Sequence, residues 1–561
     1  MNIASFDVFD TCLLRKCGTV ADFYDVLSLR AFREDVPEQV CRLFAVARKK
    51  AEDRLWNTNS HLRLSDIYAD ISFSHPSLKP IHELVDVEIA LEKEMLVPSA
   101  RAKALVDKCR KRGHRVVFVS DMYLEDDVIR DVLAGFGFYY EDDGLYVSST
   151  CGCTKQSGEL YKYVQQQEKV PFRKWHHYGD NAYSDVAIPS SLGIKATRYV
   201  NDYSPYQKSW LENDFSQYYD YPSILAGISR AMNHSDDYGQ DRYVDFVVDL
   251  IAPLYCSYVH NVLKDAYSRG VRNLYFCARD TWQIFHVAEQ MVDEFPGMRI
   301  SYLYVSRDSL YAGNADARLA YFEQVGLANH EGSAAIVDIT TSGKTIWELN
   351  RFLVDRGYCQ VRGYFLLLWD DPRNIPVDRN ICYFELEAQN IQRQVIGSCL
   401  LNHLYVFENF FAFNTQAKTV DYTIENGVAK PVKDNSVTQI ETDLQGDKES
   451  ISRYFTSLLT AYAKVYITTG IYRYSKEIMH AIAIPTLSSF FRIPELHYLP
   501  ALEHYRVYSG RTKAHVPYVL RTPKVLLKLR TADSAWWTAS ALWSLPGFLR
   551  PLYRRRLKKT K

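Results

Sequence analysis

Phe6-Asp7-Val8-Phe9-Asp10-Thr11 follows directly on a short apolar run, Asn2–Phe6. An apolar run that ends in acid reads as a buried strand delivering a carboxylate to a sheet edge. Three more motifs recur in the same setting. Arg115-Val-Val-Phe-Val-Ser120 is a buried-type strand that ends in a hydroxyl. Lys155 lies in Thr154-Lys155-Gln156-Ser157-Gly158-Glu159-Leu160-Tyr161. A strand over Trp175–Tyr178 runs into Gly179-Asp180-Asn181-Ala182-Tyr183-Ser184-Asp185. Between these, helical spacing covers 21–56, 82–111 (broken at Pro98), Val128–Leu133 and Glu159–Lys169, with a short strand near Leu145–Val147. Strands alternating with helices predict an α/β unit with a parallel sheet covered on both faces.

The four motifs make one coherent chemistry, because an open parallel sheet binds ligands at the C-terminal ends of its strands. A carboxylate can attack phosphorus and form an aspartyl-phosphate. Further carboxylates can hold Mg²⁺, which takes oxygen ligands and withdraws charge as a Lewis acid. Lys155 adds a fixed positive charge, and Ser120 or Thr11 can donate to a phosphoryl oxygen. Each motif alone has a bland reading. Asp7 or Ser120 can cap a helix, and a single lysine is ordinarily solvated. Four in this order along one α/β unit speak against that reading.

Residues 1–200 resemble the haloacid dehalogenase-like hydrolase superfamily, whose core is Rossmann-like, and the long insert resembles its helical cap, here about 15–111. The resemblance implies that Asp7 is the nucleophile, Ser120 the phosphate-binding hydroxyl and Lys155 the charge-stabilising lysine. It also implies that Asp180, Asp185, Asp7 and the backbone carbonyl of Phe9 face Mg²⁺. Phe9 departs from the pattern. Phosphatases of the superfamily usually carry an Asp there as general acid/base, a contribution of roughly 10²–10⁴-fold. Asp10 stands where the family usually has Gly and is expected to point elsewhere on a tight loop. Without the acid, the site needs a good leaving group, passes the phosphoryl group to another acceptor, or binds without turnover.

A second α/β pattern follows a polar, Tyr-rich stretch, 201–243, and spans 201–390. Phe246–Leu263 reads as an apolar helix. Strands are expected at Asn273–Cys277, Ile300–Val305, Ala334–Asp338 and Gly363–Leu368, with helices at Thr281–Val292 and Thr345–Val354. Arg279-Asp280 ends the first strand and Arg307-Asp308 follows the second. Asp338-Ile-Thr-Thr341-Ser342-Gly343-Lys344-Thr345 ends the third. A hydroxyl-rich turn opening a helix suits a phosphate. It is not a Walker A loop, because Asp338 stands where that motif needs Gly. It looks like the ribose-phosphate loop of phosphoribosyltransferases, with Val337 in place of one of two adjacent acids. Two readings stay open: a sugar-phosphate or nucleotide cleft, or loop ion pairs and a helix cap. The order of motifs also resembles large predicted hydrolases encoded with bacterial surface-polysaccharide assembly.

The whole chain has 561 residues, with 67 Lys+Arg against 67 Asp+Glu. That length predicts several domains. The neutrality is an average. Residues 501–561 hold 14 basic residues against Glu503 and Asp533 alone, so a cationic end joins an acidic body. The basic end, 531–561, also carries Trp536, Trp537, Trp543, Phe548 and Tyr553. Aromatic residues beside Lys and Arg suit the surface of an anionic membrane. A solvated tail or a strip docked on the acidic body are the other readings. Nucleic acid is not expected, because no nucleic-acid module accompanies the arm. Residues 391–530 read as mixed, then mainly helical, with Ile451–Thr468 the clearest helix. No signal peptide is expected and, with no run of about 18 apolar residues, no spanning helix either. Eleven scattered cysteines, with a single Cys151-x-Cys153, read as free thiols of a cytoplasmic protein.

Three functions fit. The first is a Mg²⁺-dependent hydrolase or phosphotransferase acting on a phosphorylated sugar of surface-polysaccharide synthesis. The second is a glycosyl- or phosphoribosyl-transferase whose second α/β domain is catalytic. The third is a non-catalytic partner in polysaccharide assembly. Oligomeric state is not legible.

Overall fold

The computed structural model describes residues 2–56, 58, 61–212, 221–239, 242–311, 313–341, 344–368, 382–386, 417–434, 439–470, 486, 506–508 and 515–517. The cationic end, 531–561, and most of 391–530 lie outside these. The chain divides into two compact units, 1–244 with 468–475, and 245–467 with 476–561. Both are α/β units built on parallel sheets.

The first sheet contains β1 (Ile3–Phe6), β4 (Arg115–Ser120), β5 (Gly144–Val147), β6 (Trp175–Gly179) and β7 (Lys195–Arg198), in the order β5-β4-β1-β6-β7. All four pairings are parallel. β1 and β4 are almost wholly buried, which is why each reads as an unbroken apolar run. β7 was not expected. It is an edge strand, largely exposed, so it carries no apolar signature. Ile3, Val117, Val119 and Trp175 form a core with Leu160, Tyr161 and Val164 of the helix Glu159–Glu168.

The insert after β1 leaves through β2 (Leu13–Arg15) and returns through β3 (Leu96–Pro98), which pair antiparallel. Between them lie helices Val20–Ser28, Glu38–Trp56, Leu64–Ala69 and Ile81–Met95. The pattern over 21–56 is therefore two helices, and the break at Pro98 is a strand. Helix Ala100–Lys111 packs on β1 and β4 and so covers the sheet. Inside the insert Arg48 is fully buried, with ion pairs to Glu88 at 2.6 Å and Glu52 at 2.9 Å. Its guanidinium lies 4.8 Å from the Tyr24 ring and 5.0 Å from that of Tyr123. A buried charge is tolerated only with such partners.

The second sheet contains β8 (Asn273–Cys277), β9 (Arg299–Leu303), β10 (Ala334–Thr341), β11 (Arg362–Leu368) and β12 (Cys382–Leu386), in the order β12-β11-β10-β8-β9. These pairings are also parallel. Helices Trp282–Glu289 and Lys344–Val354 follow β8 and β10. A hairpin, β13 (Thr419–Glu425) with β14 (Val428–Lys433), adds Tyr422 to the core beside Tyr321 and Phe322. The long helix Gln439–Thr469 encloses the expected Ile451–Thr468. Among the described residues one helix, Val244–Ser268, is long and apolar enough to cross a membrane by length and composition, which the sequence reading did not expect. Its apolar window is 94% buried within the protein, as in a core helix.

Candidate active site

Asp7 leaves the end of β1, and its backbone N–H donates to the Tyr178 carbonyl of β6 at 2.8 Å. No helix starts there, so Asp7 is not a helix cap. Ser120 ends β4 and is 1% exposed. The next helix starts at Asp126 with Glu125 as its cap residue, so Ser120 is not a cap either. Lys155 is 3% exposed, the opposite of a solvated lysine. Its ammonium donates to Asp7 Oδ1 and, at 2.7 Å, to Asp185 Oδ1. Asp180 follows β6. Asp185 sits in a π-helical turn, Ala182–Ala187, whose first N–H groups are capped by Asn181 Oδ1 at 2.9 and 3.0 Å. The Asn181 N–H donates to Asp185 Oδ2 at 3.1 Å. Gly179 is needed for this approach, because a Cβ there would lie 2.5 Å from Asp185 Cβ.

Oxygens of Asp7, Asp180 and Asp185 lie within 4.8 Å of one another. Three carboxylates thus face one ammonium, and the surplus is negative. Burial raises Asp7 well above the usual carboxylate range; Lys155 opposes this, while Asp185 and Asp180 add to it. Burial, then Asp10 and Asp185, push Asp180 up to about 6. Burial also pushes Asp185 upward, but Lys155 and His177 outweigh it and hold Asp185 below the usual range. Burial lowers Lys155, yet Asp7 and Asp185 outweigh that and keep it an ammonium. An all-oxygen donor set with surplus negative charge fits a Mg²⁺ ion.

Four side chains that motif reading missed complete the arrangement. Trp175 Nε1 donates to Ser5 Oγ at 2.6 Å, and Ser5 Oγ lies 2.6 Å from His177 Nδ1. His177 Nε2 lies 3.2 Å from Asp185 Oδ1. Burial lowers His177, leaving the ring neutral. A neutral ring with Nε2–H toward Asp185 then accepts from Ser5 at Nδ1. Asp121 accepts from the backbone N–H of Lys155 at 2.7 Å and of Gln156 at 3.3 Å, fixing the loop that carries the lysine.

Thr11 and Asp10 each have a partner within the first unit. Thr11 is buried and donates to Asp180 Oδ1 at 3.4 Å; it is not among the side chains lining the cavity. Its hydroxyl here serves a carboxylate of the site. Asp10 adopts φ 56° and pairs with Arg230 at 2.7 Å, away from an acid/base role. Phe9 lies under the Arg15 guanidinium at 4.7 Å, and Arg15 is paired with the buried Glu92 at 2.8 Å. The cavity holds about 480 Å³ above Asp7, with Ser120, Lys155, Phe9 and Arg15 in its wall and Tyr24, Glu52 and Trp56 contributed by the insert.

In the second unit, Arg279 and Asp280 follow β8 and Asp338 lies in β10. Arg307 opens the short helix Arg307–Tyr311, and its neighbour Asp308 pairs with Lys418, not with an arginine. Thr345 lies in the first turn of Lys344–Val354. The Thr341 side chain, Ser342 and Gly343 lie outside the description. Among the described residues nine cysteines are free, and Cys151 and Cys153 join no metal-ligating group.

No family model matches this chain, and no curated protein matches it. Solved structures similar to it include a HAD-family enzyme from Bacteroides thetaiotaomicron, an Asp-to-Ala mutant in complex with magnesium and inorganic phosphate. It is 12% identical over 35% of this chain and 93% of its own, with TM-score 0.25. L-2-haloacid dehalogenase from Xanthobacter autotrophicus, with chloropropionic acid covalently bound, is 14% identical over 38% of this chain and 84% of its own, with TM-score 0.29. A 2-haloacid dehalogenase from Pseudomonas syringae pv. Tomato DC3000 is 14% identical over 36% and 86%, with TM-score 0.26.

Proposed function

We propose that residues 1–200 form a Mg²⁺-dependent hydrolase or phosphotransferase of the haloacid dehalogenase-like kind, working through an aspartyl-phosphate on Asp7. The observation that carries this reading is the convergence of Asp7, Lys155, Asp180 and Asp185 at one point, with more negative charge than the lysine can balance. Asp7, Asp180 and Asp185 would hold Mg²⁺, with the Phe9 carbonyl as a further ligand. When bound, the ion neutralises the anionic cluster and the incoming phosphate.

The protein's own groups do the rest. Asp7 Oδ attacks phosphorus as the bond to the leaving oxygen breaks. Lys155 stabilises the charge on the transferring group, and Ser120 donates a hydrogen bond to it. Water, or another acceptor, then takes the phosphoryl group and frees Asp7. Phe9 offers no proton to the leaving oxygen. Good leaving groups, such as acyl phosphates or pyrophosphates, therefore suit this site. The half-polar, aromatic-bearing cavity supports a phosphorylated sugar as substrate. We place the reaction in surface-polysaccharide synthesis, on the order of motifs along the chain. The Trp-bearing basic end supports peripheral contact with an anionic membrane. Loss of sedimentation with anionic vesicles on deleting 531–561 tests that contact.

The test of the reaction is phosphate release from acetyl phosphate and sugar phosphates with Mg²⁺. Asp7→Asn is expected to lose at least about 10³-fold in kcat, as for removal of a nucleophile. Turnover that survives Asp7→Asn would overturn the assignment.

A further inference from the structure

We infer that Arg15 holds the leaving group as an anion, so that the substrate of this site is a phosphoric anhydride, parting as a phosphate or a carboxylate. The inference rests on the reading of Asp7 as nucleophile. The loop behind Asp7 folds back on itself. The N–H groups of Cys12 and Leu13 donate to the Val8 carbonyl at 2.9 and 2.8 Å, and that of Asp10 to the Leu13 carbonyl at 2.7 Å. β2 therefore starts beside Phe9 and ends with Arg15 over its ring. The guanidinium lies 4.7 Å from the Phe9 ring and 5.6 Å from that of Phe23. The Arg15 side chain is 11% exposed. Nε and Nη2 donate to the buried Glu92 carboxylate, at 3.1 and 2.8 Å. Among the described residues Nη1 has no hydrogen-bond partner, and Arg15 stands in the cavity wall with Phe9 and Asp7.

The charges along that wall decide what Nη1 serves. Among the described lining residues the cations are Arg15 and Lys155. Lys155 is engaged by Asp7 and Asp185 at the attacking end. The other carboxylates of the wall have partners of their own. Asp10 has Arg230, Glu52 has Arg48 and Tyr24, and Asp121 has two backbone N–H groups. An in-line displacement puts the leaving oxygen across phosphorus from Asp7, toward the cavity. As the bond from Asp7 Oδ to phosphorus forms and the bridging P–O bond breaks, the electron pair stays on the leaving oxygen. Phe9 supplies no proton to it. A guanidinium N–H already fixed in the wall stabilises that charge with no proton transferred. A sugar hydroxyl would have to leave as an alkoxide. Phosphate and carboxylate leave as the weak, planar-edged anions that arginine pairs with. Water then attacks the same phosphorus, giving phosphate and a proton and freeing the Asp7 carboxylate.

The binding test uses the full chain carrying Asp7→Asn at fixed free Mg²⁺, with pyrophosphate and inorganic phosphate as calorimetric probes. Pyrophosphate is expected to bind the more tightly. Adding Arg15→Gln is expected to weaken pyrophosphate about tenfold or more, as for a lost hydrogen bond to a charged group, and to leave phosphate nearly unchanged. Adding Glu92→Gln instead disturbs the same ion pair but is expected to keep the preference. With Asp7 intact, Arg15→Gln is expected to cut kcat on acetyl phosphate by a similar factor, and Glu92→Gln is not. Equal weakening of both probes by Arg15→Gln, or the same loss of preference in Glu92→Gln, would overturn the inference. Should Arg15→Gln not fold, the double variant Arg15→Gln/Glu92→Gln, which removes both charges of the pair, decides in its place. Turnover that survives Asp7→Asn would sink the nucleophile reading, whereas a pyrophosphate preference indifferent to Arg15 would sink this inference with the nucleophile intact.

Discussion

Arg230 holds Asp10 by an ion pair of 2.7 Å while Asp10 sits in the left-handed region at φ 56°. The Asn201 side chain donates to the Asp10 carbonyl at 3.0 Å. The loop behind the proposed nucleophile is thus pinned at the position where the resembled family usually has glycine.

Asp10 substitutions separate the two effects. Left-handed backbone costs an L-residue roughly 1–2 kcal/mol, which glycine escapes. The half-exposed ion pair contributes about 1 kcal/mol or less. Asp10→Gly trades one against the other and is expected to leave urea stability near wild type. Asp10→Ala loses the pair and keeps the strain, so it is expected to lose about 1 kcal/mol. Equal midpoints for Asp10→Ala and wild type would show that Arg230 does not set the loop.

Lys155→Met leaves a buried group of carboxylates without their cation. Breaking a buried pair in this way costs about 3–5 kcal/mol. The carboxylates then sit above their unfolded values, so the variant is stabilised at acid pH and loses that stability as pH rises. Mg²⁺ is expected to recover part of the loss at neutral pH. Thermal melts of the variant at pH 5 and pH 8, with and without Mg²⁺, check both signs.

Asp180, pushed up to about 6, must release its proton before it holds a cation. Mg²⁺ affinity is therefore expected to fall as pH drops through that value, with Asp7, also raised, adding to the loss. Asp180→Asn should weaken the ion and make this slope shallower. Mg²⁺ titrations of the wild type at pH 5, 6 and 7.5, followed by intrinsic fluorescence, read it directly.

Phe9→Asp restores a carboxyl where family phosphatases have their acid. In this protein it would lie beside the Arg15 guanidinium, now 4.7 Å from the Phe9 ring. That charge holds the new group ionised at neutral pH. The gain on poor leaving groups is expected to be well below the full 10²–10⁴-fold of general acid catalysis. It is expected to grow as pH falls. A full gain at pH 7.5 would show that Arg15 does not govern the position.

Asp7, Ser120, Lys155, Asp180 and Asp185 were legible because each follows a strand or loop with its own local pattern. Their convergence needs only that those strands be parallel neighbours. Ser5, Trp175 and His177 were not legible. They sit inside strands as apparent core residues, and Ser5 meets His177 only through the register of β1 and β6, 172 residues apart in sequence. The bond from Thr11 to Asp180 was not legible, because a hydroxyl beside the motif looks the same whether it faces ligand or carboxylate. Four of the five strands of the second sheet were legible from their apolar runs, while β12 and the lateral order were not. Nothing in a run of Val and Ile states which neighbour lies beside it.

The short pairing of β2 with β3 has a consequence for how this protein can change. The two passages of chain into and out of the insert are paired antiparallel, Leu13 opposite Pro98 and Arg15 opposite Leu96. Arg15 and Glu92 clamp the same neck. The segment beyond it can thus be lengthened, shortened or replaced while β1 and β4 keep their registers. Selectivity can drift with the insert as an exchangeable attachment, and the carboxylate centre beneath stays where the sheet put it.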